Sequence, residues 1–229
     1  QLASLFRHHC QMNGADQLAY SSIGGGGNNA CVLHYVENSE ALQDGDVVLI
    51  DAGCELGFYA SDITRTFPVN GRFCDPQRAH YELVLEAQLA AIDKVRPGNH
   101  WNDQNRAAVR ELTKGLLKLG QLRGTLAKQW KAESYSRFFM HRTGHWLGMD
   151  VHDVGDYKVD GHWRELERGM VLTIEPGLYI PSGSKGVAKK WQGIGIRIED
   201  DVLVTSKGPD VLSRDVPKTI ERIEALMAR

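Results

Sequence analysis

The run Gly45-Asp-Val-Val-Leu-Ile-Asp51-Ala-Gly53 recurs as Gly169-Met-Val-Leu-Thr-Ile-Glu175-Pro-Gly177. Each copy has a turn glycine, a short apolar strand, a carboxylate and a closing x-Gly at the same spacing. Each is followed by a second acidic strand, Ser61 to Phe67 in the first copy and Ile196 to Val202 in the second. A repeat of this kind predicts a duplicated half-domain. Strands joined by tight loops pair antiparallel, and long amphipathic helices then cover one face of the sheet. The expected fold class is therefore α+β, with two pseudo-symmetric halves. The second copy carries a longer loop between its carboxylates, Pro181 to Gln192.

The repeat also concentrates charge. Asp51, Asp62, Glu175 and Glu199 end or interrupt apolar strands at matched places in the two halves. A buried carboxylate without compensation costs several kcal/mol or takes up a proton. Because strand side chains alternate, Asp62 shares a face with Thr64, and Arg197 shares one with Glu199. If the halves pack face to face, the four acids converge and two divalent cations would balance them. Between the halves lies a histidine cluster, with His141, His145 and His152 in the Gly-rich stretch Phe138 to Gly155. The His141/His145 spacing is that of a helical H-E-x-x-H zinc motif. Arg142 stands where that motif needs Glu, however, and Gly144 and Gly148 oppose a regular helix.

Elsewhere the pattern predicts a helix from Leu2 to Cys10, a loop from Ser21 to Asn29 and a strand from Cys31 to Val36 that carries His34. A long helix starts with Asp75 as N-cap and Pro76 in the first position, and Pro97-Gly98 stops it. Val109, Leu112, Leu116 and Leu119 mark a second helix from about Asn102 to Leu119, ended by Gly120. Pro217 to Met227 forms another helix. The Gly24–Gly27 run lacks the Lys-Ser/Thr of a phosphate-binding loop. Hydrophobic content of 42% and charged content of 24% suit a globular protein with a real core. A net charge of -2 argues against a nucleic-acid partner or an anionic membrane surface. No apolar run approaches a membrane span and no secretory signal is read at the N-terminus. The missing initiator Met suggests a fragment or a processed chain. Cys10, Cys31, Cys54 and Cys74 form no C-x-x-C pair and read as free thiols of a reducing, cytoplasmic compartment.

Several runs together carry a family resemblance across nearly the whole chain. They are Val32-Leu-His34-Tyr35, Leu49-Ile-Asp51-Ala-Gly-Cys-Glu55, Asp62-Ile-Thr-Arg-Thr-Phe-Pro68, His145-Trp-Leu-Gly148, Asp150-Val-His-Asp-Val-Gly155, Thr173-Ile-Glu-Pro-Gly-Leu-Tyr179 and Gly193-Ile-Gly-Ile-Arg-Ile-Glu-Asp200. The chain resembles the aminopeptidase P (Xaa-Pro aminopeptidase) branch of the pita-bread metallopeptidases, to which prolidase and methionine aminopeptidase are related. The resemblance implies a pita-bread fold and a two-metal site. Asp51 would chelate one metal, Asp62 and Glu199 would bridge both, and His145 and Glu175 would complete the other. His34, His141, His152 and Arg197 match positions used around the substrate, and Glu175 is the expected proton acceptor. The Gly-rich loop after Tyr20 departs from the family pattern.

Four oxygen ligands and one imidazole suit Mn(II), with Co(II), Zn(II) or Fe(II) as replacements. The implied activity is metal-dependent hydrolysis that releases the N-terminal residue from peptides with proline second. The alternatives are a prolidase-like Xaa-Pro dipeptidase, a methionine aminopeptidase or a non-catalytic peptide-binding module. The family's separate N-terminal domain is absent, so residues 1–229 are expected to form a single catalytic domain. A homo-oligomer is expected of the full-length protein.

Overall fold

The computed structural model describes residues 1–228. Eight main strands form the sheet framework: β1 (Ile23–Gly26), β2 (Val47–Ala52), β3 (Ile63–Pro68), β4 (Val171–Ile174), β5 (Gly177–Ile180), β6 (Ile194–Arg197), β7 (Asp200–Thr205) and β8 (Gly208–Val211). Five helices accompany them: α1 (Leu2–Met12), α2 (Asp75–Ile92), α3 (Asn102–Lys118), α4 (Leu126–Lys131) and α5 (Ile220–Met227). In the first half the strand order is β1-β2-β3. In the second it is β8-β7-β4, continued by the β5-β6 hairpin, and every pairing is antiparallel.

Gly45 and Gly169 open the two repeat units with φ of 85° and 95°, backbone that glycine adopts without penalty. Their strands then pair in matching fashion. Val69 donates to the carbonyl of Asp46 in one half, and Val204 donates to that of Met170 in the other. The register corrects one expectation. Asp51 lies opposite Thr64, whereas Ile174 opposite Asp200 and Gly177 opposite Arg197 put Glu175 level with Glu199. The counterpart of Glu199 is therefore Thr64, and that of Asp62 is Arg197. The four acids do not occupy four equivalent places. They meet because the second strands of the two halves run side by side: Glu199 N–H donates to Thr64 O at 3.1 Å, and Arg197 N–H to Thr66 Oγ1 at 3.2 Å.

The outer face is closed by α2, which packs on β4, β5 and β6 and against α3. Its buried residues Gln77, His80, Tyr81, Val84, Ala87, Gln88 and Ala91 recur at helical spacing. Leu112 and Leu116 of α3 join Leu172, Ile174, Leu178, Ile180 and Ile196 in one core. Each such side chain contributes about 2 kcal/mol on burial. Behind the sheet, Asp200 is fully buried between Arg65 (2.7 Å) and Lys218 (2.6 Å) and also accepts from Gln88 and Ser213.

Four local expectations are corrected. The Gly-rich loop contains β1, an edge strand that contacts neighbouring backbone so closely that a Cβ at Gly25 would lie 2.6 Å from Asn29 O. The expected Cys31–Val36 strand is a 3-10 turn over Gly27–Cys31 followed by irregular chain, so His34 sits on a loop. Helix α2 is capped by Cys74, whose backbone N–H donates to Gln77 Oε1 at 3.0 Å, and Asp75 and Pro76 are its first two residues. Pro76 is tolerated there because the first four helical N–H groups need no intrahelical acceptor. The last helix begins at Ile220, after Thr219 rather than Pro217. Among the described residues no helix is long and apolar enough to cross a membrane, and the four cysteines are free.

Candidate functional site

The site lies where the two halves meet. It is a cavity of about 800 Å³ whose wall includes Asp51, Asp62, His145, Glu175 and Glu199, together with His34, His141, His152 and Arg197. All nine residues singled out from the sequence thus face one space.

Each is delivered by a simple element. Asp51 is on β2, Asp62 immediately precedes β3, Glu175 follows β4, and Glu199 lies between β6 and β7. His145 is carried by an extended segment laid against β4: Thr173 N–H donates to His145 O at 3.0 Å, and Glu175 N–H to Thr143 O at 2.7 Å. Gly144 is required in that segment, because a Cβ there would stand 1.9 Å from Thr173 O. His145 Nδ1 meets the carbonyl of Trp146 at 2.9 Å, which leaves Nε2 facing Asp62 Oδ2 at 3.3 Å and Glu175 Oε1 at 3.9 Å.

Donor atoms of Asp62, His145 and Glu199 lie within 4.8 Å of one another, a cluster that could hold a metal ion. Asp51 stands beside it, linked to Asp62 by Tyr20, whose hydroxyl lies 2.5 Å from Asp51 Oδ1 and 2.6 Å from Asp62 Oδ1. Arg197 holds the other oxygen of Asp51 at 2.6 Å and the Tyr179 hydroxyl at 3.0 Å. Glu199 accepts from Thr64 Oγ1 at 2.5 Å.

The electrostatics are those of an under-neutralised acidic pocket. Burial pushes the Glu175 carboxyl up to about 8, against the pull of Arg197 and His145. Burial, reinforced by Asp62 and Glu175, raises Glu199 well above the carboxylate range. Asp51 is also raised by burial, with Arg197 opposing. One guanidinium does not offset these desolvated acids. Together with an imidazole whose Nε2 points among them, they fit a site for divalent cations.

The remaining histidines differ. Burial lowers His141 to about 3; its Nε2 lies 2.8 Å from the Tyr179 hydroxyl and its Nδ1 3.7 Å from Glu175. His152 packs edge-on against His145 with 4.3 Å between ring centroids, and it has no hydrogen-bond partner among the described residues. Its pKa is lowered by burial and by His145.

Sequence reasoning missed three contributors. Tyr20 joins Asp51 to Asp62, and Tyr179 joins Arg197 to His141, but an isolated tyrosine carries no spacing signal. The third is the hairpin Lys158–Val159/His162–Trp163 on the cavity rim. Its turn residues Asp160 and Gly161 have φ of 49° and 79°, and the Asp-Gly pair was the available clue.

Metallopeptidase family M24 matches residues 1–206. The chain is 52% identical over 222 residues to an Xaa-Pro aminopeptidase of Haemophilus influenzae, covering 97% of this chain and 50% of that protein. To an Xaa-Pro aminopeptidase of Escherichia coli it is 49% identical, covering 96% and 49%. Among solved structures, the Pseudomonas aeruginosa aminopeptidase PepP matches with a TM-score of 0.98 and 57% identity over 99% of this chain and 51% of that one. An E. coli aminopeptidase P in complex with substrate matches with a TM-score of 0.96 and 47% identity, over 99% and 51%. The chain spans about half the length of the curated relatives it matches. With its duplicated sheet, its convergent acids and these likenesses, the chain belongs to metallopeptidase family M24, the pita-bread metallopeptidases.

Proposed function

We propose that residues 1–229 are the catalytic domain of an Xaa-Pro aminopeptidase, which hydrolyses the bond before a proline in second position and releases the N-terminal residue. The observation that carries this reading is the convergence of Asp51, Asp62, His145, Glu175 and Glu199 on a cavity that His34, His141 and His152 also line. The names of the relatives support the same activity.

In this reading Asp51, Asp62, His145, Glu175 and Glu199 would hold two divalent ions, Asp62 and Glu199 serving both. The predominance of oxygen donors favours Mn(II). When bound, such ions supply Lewis-acid polarisation of the scissile carbonyl and a water of lowered pKa. The chain's own side chains do the rest. Glu175, between His141 and His145, accepts a proton from the attacking water and returns it to the leaving proline nitrogen. His152 and His34 stand on the wall and donate hydrogen bonds to the substrate carbonyl as charge develops there. Arg197 stays charged and fixes Asp51 and Tyr179, which orients the ligand set rather than moving protons. Cytoplasmic residence and a homo-oligomeric full-length protein are part of the same proposal.

The test is a peptide panel assayed on metal-loaded and chelated protein. Release of the first residue from Xaa-Pro peptides, lost on chelation and restored by Mn(II), is expected. Equal cleavage of Xaa-Ala peptides, or preference for Met-Ala peptides or for dipeptides alone, would replace this reading with one of its relatives.

A further inference from the structure

The rim of the cleft carries two cations that no established element of the site uses. Arg142 follows His141 in the chain, and its guanidinium lies 4.9 Å from the centre of the Trp163 ring. Lys158 Nζ lies 4.4 Å from the same centre. All three residues line the cavity that holds Glu175 and Glu199.

Their placement is built rather than incidental. Lys158 and Trp163 are directly opposed across the two-stranded hairpin, whose Asp160-Gly161 turn fixes the register. Arg142 is anchored from the other side by Asn102 Oδ1 at 2.9 Å, at the start of α3. That bond engages one of its five N–H donors and leaves the others available.

The charges are not neutralised. Neither cation forms an ion pair among the described residues, and a π face attracts a cation without cancelling its charge. Asp156 lines the same cavity but is in ion-pair contact with neither. Two like charges on one ring repel each other, and an anion between them would relieve the repulsion. Arg142 and Lys158 line the cavity yet are exposed, which puts them at its mouth, within reach of a peptide where it leaves the cleft.

We propose that Arg142 and Lys158, mounted on Trp163, form a carboxylate-binding subsite for the leaving portion of the peptide. The proposal rests on the Xaa-Pro peptidase reading and deepens it: the favoured substrates carry an anionic group beyond the proline. That group is either the free C-terminal carboxylate of a short peptide or an acidic side chain.

The test compares kcat/KM for two peptide pairs on the metal-loaded protein, Ala-Pro-Ala as acid and as C-terminal amide, and Ala-Pro-Glu-amide against Ala-Pro-Gln-amide. The wild type should favour the anionic member of at least one pair by about fivefold, the scale of a partly exposed charge interaction. The first pair reports the C-terminal source and the second the side-chain source. In the Arg142→Gln/Lys158→Gln double variant the ratio should fall to within about twofold of unity, as it should for the wild type in about 0.5 M salt. Equal ratios in wild type and double variant, for both pairs, would overturn the subsite. If neither pair is cleaved, the peptidase reading fails. Calorimetric binding of the same peptides then decides the subsite by the same ratio and the same loss in the variant.

Discussion

Acid should unfold this protein partly through one histidine outside the candidate site. His80 on α2 is fully buried and stacks on Trp191, with ring centroids 4.7 Å apart. Its Nε2 meets the Gln121 side-chain amide at 2.5 Å, while its Nδ1 has no partner. An imidazolium has two N–H donors, so one would be buried with nothing to accept it. Burial accordingly pulls the His80 pKa from 6.5 down to about 4. The unfolded chain takes up this proton below pH 6.5 and the folded chain does not until about pH 4. Stability therefore falls as pH drops through that window and levels off below it. At about 1.4 kcal/mol per pKa unit the loss is about 3 kcal/mol. The perturbation that isolates it is His80→Phe, which keeps an aromatic ring beside Trp191. At pH 7 the variant should be slightly the less stable, by about 1 kcal/mol for the lost Gln121 bond. At pH 4 it should be the more stable by about 2 kcal/mol. Urea unfolding of both proteins at several pH values, in chelator so that metal loading does not vary, gives the difference directly. A stability difference that does not change between pH 7 and pH 4 would refute the argument.

Three further outcomes follow from particular contacts. Asp200→Asn leaves Arg65 buried without its anion and should cost about 3–5 kcal/mol in chemical denaturation; a loss under about 1 kcal/mol would mean that the remaining polar partners already satisfy Arg65. Gly144→Ala forces the His145 segment off β4 and should lower both thermal stability and bound metal; unchanged values would show that the segment is free to shift. His152→Ala should keep its metal while kcat falls by about 100-fold, the scale of losing a transition-state donor. A near-normal kcat would remove His152 from the chemistry, and lost metal would make it a ligand or its support.

The parts legible in the sequence were those with a repeat or a period. The Gly45–Gly53 and Gly169–Gly177 copies foretold β2 and β4 because turn, strand and carboxylate came as a fixed unit. The helices were visible because Val109, Leu112 and Leu116 recur on one buried face. Spacing failed where tertiary contact decides. Cys31 to Val36 has strand composition, yet Val32 and Val36 are exposed and the segment passes along the cleft rim without a partner strand. The Gly-rich β1 lacked side chains to signal it and exists because backbone packs on backbone. At the site, the acids and histidines could be picked out by type and family likeness, but their register could not. That Thr64, and not Asp62, stands as the counterpart of Glu199 depends on a pairing no local pattern records.

The most direct test of the central claim is a calorimetric titration of chelated protein with Mn(II), backed by elemental analysis. The account predicts two ions bound per chain, with fewer in Asp62→Asn and Glu199→Gln while both variants remain folded by circular dichroism. Absence of binding in the folded wild type, or the same stoichiometry in all three proteins, would contradict it.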